Sequence, residues 1–342
     1  MRVLVDMGYR VDFLPDDGRH AGAYSEALAT GGVATHFAPG AGAILRWLHR
    51  NAPGYAVIIV SRYHLAEALF PLFRHIAPDA RLVLDTVDLH HLREQREAWQ
   101  HGDARLLRLS SRTRQRELHA IAAADSTWVV SNVEKALLAR HAPSANVHVV
   151  SNVHEVLTHV PGAHGRRGVL FVGGAGHPPN LDAIAWLLEE IWPEMHAAVP
   201  DMELHLVGDG LTKAVPTPPV GVTVHGYVQD LEPLLARVRV AIAPLRFGAG
   251  VKGKVNLGMS HGVPMVITEC AAEGMDITEG KDAFIENSPA GFADAVARLH
   301  HDDALWTRMS AASISHVIDR FSVVTARAAM AASFSKPMSP AG

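Results

Sequence analysis

Short apolar, β-branched runs alternate along the chain with segments of helical spacing, the pattern that parallel α/β sheets produce. In the first half these runs predict strands over 11–14, 33–37, 56–60, 81–85, 127–130 and 147–150. In the second half they predict strands over 169–172, 203–207, 222–224, 238–243 and 265–268, with a weaker one over 283–286. Every run is of strand length, so none is long enough to cross a bilayer. Between the halves, residues 155–167 are polar and carry Pro161, Gly162 and Gly165, which reads as a linker. The pattern is α/β: two Rossmann-like doubly wound domains, 1–155 and 166–322, facing each other across a cleft. Ligands of such sheets sit at the carboxyl ends of the strands.

The first fourteen residues, MRVLVDMGYRVDFL, do not fit two strands. A strand ending at Val5 cannot return parallel at Val11 through so few residues. Gly8 instead suits the left-handed residue after a helix. A helix over 1–7 is therefore expected, and the strand over 11–14 then lacks a neighbour on one side. An open ladder of that kind needs a cover.

The segment PLRFGAGVKGKVNLGMSHGVP, residues 244–264, carries the strongest chemical signal. A buried strand runs into a loop with Gly248 and Gly250, then Lys252, Gly253 and Lys254, and then a helix. Glycines let backbone amides approach an anion, and a helix N-terminus adds partial positive charge. The spacing matches neither the Walker A loop nor the dinucleotide fingerprint. A cradle for a phosphate or diphosphate is one reading; a surface turn with solvated lysines is the other.

Composition narrows the classes. The 342 residues suit two domains of about 150 each. A hydrophobic content of 48% with 19% charged residues is that of a globular protein. The formal net charge of −4 argues against nucleic acid as the main partner. The single cysteine, Cys270, cannot form an internal disulfide, which suits a reducing cytoplasm. No signal peptide is recognisable at Met1. The 22 histidines are scattered, and neighbours such as His90 and His91 point about 100° apart on a helix. No metal site or cofactor is expected from them.

The ordered set FGAGVKGKVN, HGVPMV and AAEGM resembles the C-terminal half of the retaining nucleotide-sugar glycosyltransferases of family four, the glycosyl transferases group 1, with the GT-B fold. GVLFVGGAGHPPNLDAIA (168–185) and HGYVQDLEPLLARVRVAIAP (225–244) extend the likeness, which covers 168–322 well and the first half loosely. The resemblance implies that the donor diphosphate rests on Gly248, Gly250, Lys252 and Lys254, with Arg246 close by. It sets Gly173 and Gly174 against the donor from the other side. Asn180 reads better as a cap for the helix after Pro178 and Pro179. Residues 323–342 are expected to form a helix that packs back on the first domain and to end in a disordered tail.

This chain also departs from the family pattern. The family's first strand and its acceptor-side glycine loop have no counterpart, so the first domain is expected to lack its first strand. Ala249 and Leu257 stand where the broad family carries two glutamates, the second of which accepts hydrogen bonds from ribose. Glu273 of AAEGM is the substitute acceptor, or a charge that stabilises its own helix N-terminus.

In the first domain Arg62 and His64 follow one strand, and Asp85, Asp88 and His90 follow another. His90, Arg62 and Asp88 are the candidate catalytic residues. The competing readings are a solvated His64, and capping of the next helix by Asp85 and Asp88. Ser131 and Glu134 form a capping box. Arg105, Arg108, Arg112, Arg114 and Arg116 crowd one helix. They form a solvated face, or a contact with anionic lipid that brings the protein to the inner membrane face.

The expected activity is transfer of a sugar from a nucleotide-diphosphate sugar, retaining and metal-independent, to an acceptor that the sequence does not specify. The alternatives are a catalytically degenerate relative that binds a nucleotide or partner, and a nucleotide-sugar epimerase.

Overall fold

A computed structural model describes residues 1–157 and 160–334. The chain divides into two compact units. The first comprises Met1–His91, Ser111–Ser151 and the residues from Val323 onward; the second comprises Leu92–Ser110 and Asn152–Ser322. The strands are β1 (Asp12–Phe13), β2 (Ala34–Thr35), β3 (Val57–Ser61), β4 (Arg81–Asp85), β5 (Ser126–Val129) and β6 (Val147–Val149) in the first unit. The second holds β7 (Val169–Val172), β8 (Leu204–Val207), β9 (Val222–Gly226), β10 (Val240–Ala243), β11 (Met265–Ile267) and β12 (Phe284–Ile285).

The second unit is a six-stranded parallel sheet in the order β12-β11-β10-β7-β8-β9. Chain order reverses between β7 and β10, which is the switch point of a doubly wound sheet. Its central strands are buried along their whole length, so they read as mainly apolar runs rather than alternating ones, with His205 the polar exception in β8. β11 ends one residue earlier than expected, because Thr268 turns out of the sheet. Its hydroxyl accepts from the Ala271 amide and caps the helix Glu269–Ala272.

Residues 161–166, expected to be a linker, belong to the second unit and are anchored there by Arg166. The Arg166 guanidinium is buried and donates to the carbonyls of Pro161, Gly162, Leu235 and Val238 at 2.6–3.3 Å. It lies over Trp306, with 5.0 Å to the ring centroid, and Arg239 approaches the same ring. A guanidinium in that position satisfies carbonyls that would otherwise be buried unpaired.

In the first unit β3-β4-β5-β6 form a four-stranded parallel sheet, while β1 and β2 form a separate parallel pair. The start of the chain is a helix, Arg2–Asp6, as its sequence predicts. Gly8, at φ 88°, sends its amide to the Val5 carbonyl, and the Tyr9 amide reaches Leu4. That pair of bonds is a Schellman ending, which only a left-handed residue permits. Val3 and Leu4 of this helix are buried with Val83, Trp128, Val150 and Met330, and Val11, Val57 and Ile59 pack alongside. β1 and β2 are shorter than expected because each has a ladder on one side only.

The helix Val323–Phe334 belongs to the first unit; its Ser333 hydroxyl accepts from the Trp128 indole at 2.9 Å. The expected disordered tail lies outside the described residues. No described helix is long and apolar enough to cross a membrane.

Candidate functional site

The loops that follow β7 and β10 flank the switch point of the second unit, and they contain the two glycine turns. After β10 the chain passes through Gly248 (φ 148°) and Gly250 (φ 69°), conformations that favour glycine, and enters the helix Gly253–Ser260. Three successive carbonyls of this loop are held by cations. Arg96 donates to the Gly248 oxygen at 2.7 Å, and Lys252 Nζ donates to Ala249 and Gly250 at 3.0 and 2.6 Å. Among the described residues, the amides of Ala249, Gly250, Val251 and Gly253 meet no acceptor. The carbonyls are turned toward cations, and these amides lie at or just before a helix N-terminus, the kind of backbone nest to which anions bind in general. Lys252 thus acts on the loop's own backbone, where the sequence reading aimed it at an anion.

Lys254 points the other way, into the unit. Its ammonium donates to Asn180 Oδ1 at 2.5 Å and sits 4.5 Å from the centroid of the Phe171 ring. Burial, and then the charge of Lys252, push its pKa down to about 7. No carboxylate pairs with it among the described residues. Leu257, at the position where a glutamate was expected by likeness, packs on the core and lines a small apolar cavity with Lys254, Val172 and Met265.

Asn180 is not the cap that its sequence position suggests. His177 occupies the N-cap, and Asn180 donates to the Gly174 carbonyl at 2.9 Å while accepting from Lys254. It therefore ties one glycine turn to the other. A Cβ on Gly173 would fall 2.8 Å from both Asn180 Cγ and Lys254 Nζ, so a side chain there would displace the Asn180–Lys254 pair.

Arg246 was expected beside the donor phosphates. Its fork is instead committed to Asp182, with bonds of 2.9 and 2.5 Å, and it stacks 5.6 Å from the Trp186 ring. Bidentate pairing of this kind holds a guanidinium firmly. Glu273 accepts from Arg96 through both oxygens, each at 2.7 Å. Arg96 and Asp182 are the residues that the sequence does not single out, and Asn180 is one whose partner it does not show. Each has a partner 64 or more positions away in the chain, which spacing alone does not reveal.

In the first unit Arg62, Asp85, Asp88 and His90 come together at the carboxyl ends of β3 and β4. Arg62 (φ 75°, ψ 141°) and Val87 (φ 65°) adopt left-handed backbone that side chains rarely tolerate. The Arg62 amide is fixed on the Asp85 carbonyl at 2.7 Å. Asp85 accepts from Ser61 and from the Val87 amide, both at 3.1 Å; burial pushes its pKa up against those bonds. His90 Nδ1 lies 3.2 Å from Asp88, and its ring meets Tyr63 edge-on at 5.3 Å, with His64 at 6.4 Å. Exposed His64 is drawn below its usual pKa by partial burial and by His90 and Arg62.

Two buried glutamates from other helices accept from the amides at and just before the start of the helix His90–His101, where one of two readings of the sequence has Asp85 and Asp88 as caps. Glu117 accepts from the amides of His90 and His91 at 2.8 and 3.0 Å and from His91 Nδ1 at 2.5 Å. Burial works to raise its pKa, but the bonds from His90 and His91 outweigh burial and bring it to about 2. Glu134, capped as expected by Ser131, also accepts from the amides of Leu89 and Val130. Of the arginine-rich helix Ala104–Ala123, Arg114 meets His141 and Arg116 pairs with Glu67, while Arg105, Arg108 and Arg112 lie exposed. No group of three or more potential metal ligands is found among the described residues.

Residues 166–302 match the family model described as glycosyl transferases group 1. That stretch contains both glycine turns. Among solved structures, HepE from Anabaena, in complex with UDP and glucose, superposes with a TM-score of 0.70 at 14% identity, over 97% of this chain and 93% of that one. Sucrose-phosphate synthase from Thermosynechococcus elongatus gives 0.70 at 16% identity, over 97% and 90%. TarM from S. aureus gives 0.67 at 12% identity over 85% of this chain, which spans 58% of TarM. No curated protein sequence matches significantly. The likeness establishes the fold as GT-B, built from two Rossmann-like domains.

Lys254 makes stability depend on pH. Its folded pKa of about 7 lies below the usual 10.5, so the unfolded chain holds the proton more tightly between those values. The resulting destabilisation is full below about pH 7 and fades as pH rises toward 10.5. Lys254→Met is expected to gain about 2 kcal/mol at pH 7, less than the full shift implies because Asn180 loses its donor. Urea unfolding at several pH values checks this: the gap between variant and wild type must shrink as pH rises.

Proposed function

We propose that this protein transfers a sugar from a nucleotide-diphosphate donor to a hydroxyl acceptor. The observation that carries the reading is the loop over 248–253, with carbonyls turned onto cations and amides left open at a helix N-terminus. Such a loop stabilises charge that develops on a departing diphosphate, and its fixed dipoles need no reorganisation as the bond breaks. Lys252 adds positive charge at the loop, and Lys254, with a pKa of about 7, adds a partial charge behind it, so the reading assigns charge compensation to the protein and calls for no divalent metal. Match of residues 166–302 to group 1 glycosyl transferases supports the same activity. Retention of anomeric configuration follows from the family resemblance. HepE was solved with UDP-glucose and TarM with UDP, which makes uridine the first base to test. Arg62, Asp88 and His90 are assigned to the reacting sugar and acceptor.

One observation favours a second reading, a degenerate protein that binds a nucleotide without turnover. Leu257 packs on the core where a ribose acceptor is expected by likeness.

A thermal-shift screen with UDP, GDP, dTDP, ADP and their sugar conjugates tests the donor site, since a ligand of the native state raises Tm. With the best diphosphate, Lys252→Ala combined with Lys254→Ala is expected to cost about 3 kcal/mol of affinity. Unchanged calorimetric affinity in that double variant refutes the site. Leu257→Glu is expected to tighten nucleoside diphosphate binding by about 1 kcal/mol, with a smaller gain for a 2′,3′-dideoxy analogue. Equal gains would assign the effect to a new pair with Lys254 and defeat the ribose argument. A lipid-borne acceptor is part of the proposal: Arg105, Arg108 and Arg112, with exposed Leu109 beside them, form the contact. Binding to vesicles containing anionic phospholipid should fall with salt and be lost when the three arginines become alanine.

A further inference from the structure

Arg96 lies in the helix His90–His101, within the stretch Leu92–Ser110 that belongs to the second unit. One of its terminal nitrogens donates to the Gly248 carbonyl at 2.7 Å, and the other reaches both oxygens of Glu273 at 2.7 Å. Five residues on, His101 meets the fully buried Phe247 ring edge-on, with centroids 5.4 Å apart. One helix therefore holds the loop at two consecutive residues.

The consequence lies in the peptide planes. A trans peptide points its N–H away from its C=O, so fixing the Gly248 oxygen on Arg96 turns the Ala249 amide to the opposite side. Lys252 does the same for the next two peptides through the oxygens of Ala249 and Gly250. Neither cation suffices alone, because Gly248 and Gly250 bring wide backbone freedom that must be removed at each peptide. Glu273 fixes the fork of Arg96, which is a different task from accepting a ribose hydroxyl. An ion pair on an open surface contributes little to stability. Arg96 and Glu273 retain only 22% and 29% of side-chain exposure, and the second arm of the fork ends on backbone.

We propose that Arg96 is a positioning residue for the donor diphosphate: it presets the first amide of the nest, and Glu273 acts through it. This inference rests on the donor reading given above.

Titration calorimetry on the full chain with UDP and UMP as probes tests it. The nest serves the second phosphate, so wild type is expected to bind UDP more tightly than UMP. Arg96→Met should weaken UDP about tenfold and leave UMP within about twofold. Arg96→Lys, which keeps a donor for Gly248 but lacks the fork, should give an intermediate UDP-to-UMP ratio. Gly250→Ala, strained at φ 69°, is the control for the nest itself and should remove the preference. If Gly250→Ala removes it while Arg96→Met leaves it intact, or weakens UDP and UMP alike, Arg96 has no positioning role and the donor reading stands. A wild type that binds UDP no better than UMP overturns the donor reading and this inference together.

Discussion

A glycine-rich loop has few side chains with which to order itself, and the second unit supplies that order through the loop's oxygens. Arg96 and Lys252 each draw carbonyls toward positive charge, and the amides are left on the other side of the chain. The rest of the site follows from this arrangement. Lys252 turns to the backbone, whereas Lys254 turns inward and is held by an amide oxygen and an aromatic face instead of a carboxylate. Because that lysine rests on Asn180, and Asn180 on the Gly174 carbonyl, the turn after β7 is fixed by the same chain of contacts. The two loops at the switch point are one hydrogen-bonded assembly rather than two turns that happen to be near.

The first unit keeps its charge differently. Glu117 is buried and held ionised by donors from the start of the helix His90–His101, and buried Glu134 accepts from the amides of Leu89, just before that helix, and Val130, just after β5. A buried carboxylate is costly unless its oxygens are filled. For Glu117 the amides of a helix N-terminus fill them, so that carboxylate and that terminus satisfy one another. The same region stores strain at Arg62 and Val87, which the bonds around Asp85 hold in place. Strain of that kind persists only where the surroundings over-determine it.

Local chemistry was legible in the sequence wherever it acts over a few residues. The strands, the helix ending at Gly8, the Ser131 cap and the turn of 248–253 all follow from spacing and from glycine. Roles that depend on distant partners were not legible. Arg246 looks like a phosphate ligand until Asp182 is seen beside it, and Asn180 looks like a cap until Lys254 reaches it. Residues 161–166 look like a linker because nothing in that stretch announces that Arg166 finds carbonyls 69 and 72 positions away. Arg96 was one arginine among many.

The separation of β1 and β2 from the main sheet of the first unit has a consequence for how the molecule opens. A two-stranded ladder with two paired positions cannot stand alone in water. The segment that carries it is held by side chains instead: His36 on Asp12, and the rings of His36, Trp47 and Tyr55 in sequence. Such contacts are fewer and more exposed than those of the four-stranded sheet, so this segment forms its own cooperative unit, at a lower rung of the free-energy ladder. In a cell, a protease would reach this segment before the cores of either unit were exposed.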